Sequence, residues 1–70
     1  MDAVNPDHYK GEIEAIDAIK ASMTQDQFNG YLKGNSIKYL WRWEKKGKVT
    51  DLHKCKWYIE RLIVEANLSE

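Results

Sequence analysis

Lys38, Arg42 and Lys45 recur at i, i+4 and i+7, so on a helix they form one basic stripe. Tyr39, Trp41 and Trp43 are interleaved with them, and Lys48, Lys54, Trp57 and Tyr58 follow a short way along the chain. Residues of these types have a definite chemistry in common. Arginine offers a phosphate a bidentate fork, and lysine offers it a point charge. Aromatic rings offer faces on which a base can stack. The same residues equally suit a solvated basic face beside an aromatic oligomer core, and residue type alone leaves both uses open. Asn35 shares a helix face with Phe28, Leu32 and Tyr39. Its amide there serves either as an interhelical hydrogen bond or as a reader of a base edge or phosphate, since a buried amide left unpaired costs about 1–3 kcal/mol.

Glu14 and Asp17 stand at i and i+3 and can share one face. They form either an exposed acidic first turn or a seat for Mg²⁺, an ion often held by one or two carboxylates plus substrate phosphates. Other chemistries find no support. There is no GxxxxGK[ST] loop and hence no P-loop phosphate site. Cys55 is the one cysteine, which excludes an intrachain disulfide, and His8, His53 and Cys55 lack zinc-site spacing. No nucleophile–base–acid arrangement follows from the spacing.

The 70 residues carry eleven acids and eleven bases, so the net charge is zero at neutral pH. A protein that coats DNA generally would show a strong basic excess. The charge is nevertheless polarised. Residues 12 to 26 hold Glu12, Glu14, Asp17 and Asp26 against Lys20, whereas residues 33 to 48 hold Lys33, Lys38, Arg42, Lys45, Lys46 and Lys48 against Glu44. No apolar run reaches membrane-spanning length. No signal peptide is expected, because acid, proline and histidine follow Met1. The expected setting is soluble and cytoplasmic.

These residues need elements to hold them, and the pattern predicts an all-α fold of three helices with an ordered N-terminal arm over residues 1–11. Asn5-Pro6 marks a turn and Gly11 a break. Ile13, Ile16, Ile19 and Met23 make one apolar stripe, predicting a first helix over about 12–23. Thr24 and Gln27 form a capping box that opens a second helix over about 25–46. Gly47 ends it, and Thr50 or Asp51 caps a third helix over about 51–66 with a seam of Leu52, Cys55, Ile59, Leu62 and Ala66. The short link makes the second and third helices antiparallel neighbours. Gly30 and Gly34 each cost about 1 kcal/mol inside a helix relative to alanine. Close helix packing, or room for a ligand or a second subunit, would offset that. A chain this short buries only about 60% of its unfolded surface, so with no disulfide or zinc site it is expected to rely on packing and on homo-oligomerisation.

In chain order, Asn5-Pro6-Asp7-His8-Tyr9, Ile13-Glu14-Ala15-Ile16-Asp17, Gly30-Tyr31-Leu32-Lys33-Gly34-Asn35, Ile37-Lys38-Tyr39, Arg42, Asp51-Leu52, Lys54 and Trp57-Tyr58 form a connected set spanning about residues 5 to 63. This set resembles a small tailed-phage family of unknown function that carries the label nucleotide kinase. It is also similar to the C-terminal part of a longer deoxynucleoside monophosphate kinase of short-tailed coliphages, an enzyme that lacks a P-loop. Nothing in the chain matches the longer N-terminal region of that enzyme. The resemblance implies a nucleotide ligand and transfer of a phosphoryl group from ATP to a deoxynucleoside monophosphate, with Mg²⁺, in the cytoplasm of an infected host. On that reading Lys38, Arg42, Lys45 and Lys54 hold phosphates. Asn35, Tyr39, Trp41, His8 and Tyr9 hold base and sugar, and Glu14 and Asp17 position the metal. Two other classes remain open: an anti-defence sponge that sequesters nucleotide signals without turnover, and an oligomeric interaction module that binds a host protein.

Overall fold

Three helices follow one another in the computed structural model, which describes residues 14–69: α1 (Ala15–Ala21), α2 (Gln25–Arg42) and α3 (Lys48–Ser69). The expected N-terminal arm, with His8 and Tyr9, and the first residues of the expected first helix lie outside the described residues. No strand occurs among those described.

α1 opens at Glu14, which has an extended backbone and no side-chain cap. It closes at Ser22, whose hydroxyl donates to the Ile19 carbonyl at 2.7 Å. The capping box then starts α2 as the sequence predicts. Gln27 N–H donates to Thr24 Oγ1 at 3.1 Å, and Thr24 N–H donates to Gln27 Oε1 at 2.9 Å. Such caps contribute about 1 kcal/mol.

α2 stops at Arg42, four residues short of the expected end, and α3 starts at Lys48 rather than Asp51. The reason lies in the turn. Lys45 and Lys46 N–H both reach the Arg42 carbonyl, at 3.1 and 3.0 Å, and Lys48 N–H returns to the Trp43 carbonyl at 2.7 Å. Lys48 adopts a positive φ of 55° to make that return. The Gly47 carbonyl accepts from Asp51 N–H at 3.4 Å, so Asp51 sits inside the first turn of α3 instead of capping it. Gly47 is required here, because a Cβ would overlap the Asp51 carboxylate.

α2 and α3 lie antiparallel over most of their length. Residue 25 meets 65, 28 meets 61, 31 meets 58, 36 meets 55 and 42 meets 51. Phe28, Leu32 and Cys55 are buried between them, with Ser36 beside Cys55. Cys55 Sγ donates to the Ser36 carbonyl at 3.2 Å, and Ser36 Oγ donates to the Leu32 carbonyl at 2.9 Å. Two small residues thus mark the close approach of the helices. The seam of α3 is rotated from the expected one. Ile59 is exposed, and the buried positions include two carboxylates, Asp51 and Glu65.

Each buried acid is paired, as burial of a charge requires. Glu65 joins all three helices. It accepts from Gln25 Nε2 of α2 at 2.9 Å, from Arg61 Nε of α3 at 2.9 Å and from Lys20 Nζ of α1 at 3.2 Å. The hydrogen bond from Gln25, followed by those from Arg61 and Lys20, outweighs burial and holds its carboxyl down at about 2. Asp51 closes the other end of the hairpin by accepting from Arg42 Nε at 2.9 Å. That bond is the largest reason its pKa lies below the ordinary aspartate value, and charge from Arg42 and Lys54 and a backbone bond from Gly47 act in the same direction.

Candidate functional site

A groove of about 430 Å³ opens where the three helices meet. α1 supplies one wall through Ala15, Ile16 and Ile19, with Glu14 at its end. α2 supplies Tyr31 and Tyr39, which are eight residues apart and therefore share a face. α3 supplies Lys54, Trp57 and Tyr58. The volume falls within the range of small-molecule pockets, and an apolar aromatic lining with a few polar groups is their usual make-up.

The rings hold one another in place. Tyr39 and Tyr58 stack at 5.7 Å between centroids with planes 14° apart. Trp57 meets Tyr58 edge-on at 5.0 Å, and Tyr31 meets Tyr58 edge-on at 6.2 Å. Burial, and then a side-chain hydrogen bond with Tyr31, push the Tyr58 phenol up to about 12.

Cations gather around Tyr39. Lys38 Nζ lies 4.7 Å from its ring centroid, the Arg42 guanidinium 4.9 Å and Lys54 Nζ 5.4 Å. Arg42 is committed to the fully buried Asp51. Lys38 and Lys54 form no salt bridge among the described residues. Like charges so close repel, and an anion bound beside Tyr39 would relieve that repulsion.

The structure therefore brings together Lys38, Tyr39, Arg42 and Lys54 of the predicted set, and Glu14 lines the same groove as Tyr39 and Lys54. Trp41, Lys45, Asn35 and Asp17 lie outside that group, and His8 and Tyr9 lie outside the described residues. Trp41 is 87% exposed on the far side of α2. Lys45 lies in the exposed turn after α2. The Asn35 amide donates to the Tyr31 carbonyl of its own helix at 3.1 Å, and among the described residues it makes no hydrogen bond to another helix. Asp17 is exposed and outside the groove lining. Of the two proposed metal carboxylates, only Glu14 has access to a ligand in the groove. A single carboxylate together with ligand phosphates suits Mg²⁺. Among the described residues no group of three or more His, Cys, Asp or Glu is placed to hold a metal. Sequence reasoning weighed Trp57 and Tyr58 only as candidate stacking rings and did not single out Tyr31, yet all three line the groove. The signal for Tyr31 was its helical spacing from Tyr39, and the antiparallel register then sets Tyr58 opposite both.

Among the described residues the chain is an α-helical hairpin with a short third helix beside an aromatic groove. No solved structure matches the chain. Its sequence does have relatives: the family described as a protein of unknown function, DUF3310, matches residues 4–60, and the chain belongs to that family. It is 40% identical over 65 residues to the Gene 1.7 protein of Enterobacteria phage T3, covering 84% of this chain and 40% of that protein. It is 47% identical over 51 residues to the Nucleotide kinase gp1.7 of Escherichia phage T7, covering 70% of this chain and 26% of that protein. The chain thus spans well under half the length of these curated relatives.

Proposed function

We propose that this chain is a phage nucleotide-binding module whose ligand lies in the groove between α1, α2 and α3, with phosphates at Lys38 and Lys54. The observation that carries the reading is the gathering of three cations around Tyr39, a ring that lines the aromatic groove together with Lys54. Trp57, about half exposed in the wall, offers a ring face for the base. Arg42 contributes field from its pairing with Asp51 and is not free to turn toward the ligand. The name of the phage T7 relative supports a nucleotide kinase activity, and the form proposed for it is transfer of a phosphoryl group from ATP to a deoxynucleoside monophosphate. Such transfer depends chiefly on positioning and charge stabilisation. Here the two lysines would position phosphates, the tyrosine wall would exclude water, and Glu14 would hold a Mg²⁺ ion that neutralises developing charge.

The test is ultrafiltration of the purified protein with ATP, Mg²⁺, the four deoxynucleoside monophosphates and several cyclic dinucleotides, read by chromatography. Retention of a nucleotide supports the groove reading. Formation of ADP and a deoxynucleoside diphosphate supports the kinase activity, and retention without change favours sequestration instead. Passage of every nucleotide unaltered would refute both. K38A and K54A should each weaken binding about tenfold or more, as loss of a charge-assisted contact predicts. They are better probes than R42A, which strands the buried Asp51.

A further inference from the structure

Among the described residues, a side chain at Gly30 or Gly34 would meet nothing within 4 Å, although glycine weakens a helix relative to alanine. At 3.6 residues per turn they share a face with Ile37 and Trp41, and that face is opposite Phe28, Leu32 and Ser36. Ile37 is 52% exposed, Trp41 is 87% exposed, and Leu40 on the border is 56% exposed. α2 is therefore apolar or small on two opposite faces, and the other described helices cover only one of them. Contiguous exposed apolar surface of this kind marks an interaction site.

We propose that the outer face of α2 docks against the same face of a second copy of the chain, with the two α2 helices antiparallel about a twofold axis near residues 35 and 36. The pattern is complementary to itself under that axis. The midpoints of Gly30–Trp41 and of Gly34–Ile37 coincide, so the large residues of one copy fall on the glycines of the other. Isologous pairing demands this kind of self-match, and glycines allow the close backbone approach it needs. Charge agrees with the orientation. The first turn of α2 carries Asp26, and the turn after α2 carries Lys45, Lys46 and Lys48 against Glu44. Antiparallel docking sets the acidic end of each copy beside the basic end of its partner. The surface is separate from the ligand groove, since neither glycine, Ile37 nor Trp41 lines it.

The experiment is sedimentation velocity on the whole chain, from about 1 to 100 µM, comparing wild type with Trp41→Lys and Gly34→Leu. Both positions are open within the chain, so the circular dichroism of each variant should match that of wild type. The wild type should sediment above monomer mass, and each variant should raise its dissociation constant about 30-fold or more, as expected for removal or obstruction of a central tryptophan contact. Higher salt should also weaken the wild-type association. A monomeric wild type at the highest concentration would overturn the proposal and assign the face to a different protein. Unchanged mass in either variant would overturn it as well.

Discussion

Replacing Glu65 with glutamine removes the charge that joins all three helices while leaving the side chain almost the same size. Glu65 is 1% exposed and accepts from Gln25, Arg61 and Lys20. Holding its carboxyl from 4.5 down to about 2 corresponds to at most about 3 kcal/mol of folding free energy at neutral pH. The side chains of Lys20 and Arg61 are 39% and 24% exposed, so water screens both partners and about half of that ceiling, ~1–2 kcal/mol, is expected. In a chain of this length each kcal/mol moves the melting temperature by about 4–8 °C. E65Q should therefore melt about 5–15 °C lower at pH 7. Because the folded-state pKa is lowered, the stabilisation is complete above pH 4.5 and is lost as pH falls toward 2. The assay is thermal unfolding of both proteins by circular dichroism from pH 7 to pH 2. The gap between the two melting temperatures should close over the lower part of that range. A gap that stays constant with pH would show that shape and not charge matters at this position. No gap at pH 7 would refute the anchoring role altogether.

Gly47→Ala forces a methyl group into the Asp51 carboxylate and should lower stability by about 1–3 kcal/mol in urea unfolding. Gly30→Ala, placed in the Trp41→Lys background to remove self-association, should instead raise stability by about 1 kcal/mol, because its Cβ enters open space. Absorbance titration of the phenols should find a step near pH 12 that disappears in Tyr58→Phe. Since that pKa is raised on folding, the stability linked to Tyr58 is present below pH 10 and is lost as pH climbs toward 12.

The helical class, the capping box at Thr24 and Gln27, and the antiparallel pairing of α2 with α3 were legible in the sequence, because each rests on local spacing or a short link. So was the joining of Lys38, Tyr39 and Arg42, which recur along one side of one helix. Family membership was legible too, since it depends on residue order alone. Packing between helices decided the rest. Apolar spacing placed the α3 seam on Ile59, but the pairing of Asp51 with Arg42 and of Glu65 with three donors makes it favourable to bury those acids instead. The pull of Asp51 on Arg42, and its close approach to Gly47, end α2 earlier than the lysines after it suggest. Trp41 and Asn35 were grouped with the basic stripe because one chain of symbols does not say which side of a helix meets its neighbours. Only the tertiary fold turned Trp41 outward and set Tyr31 and Tyr58 around the groove.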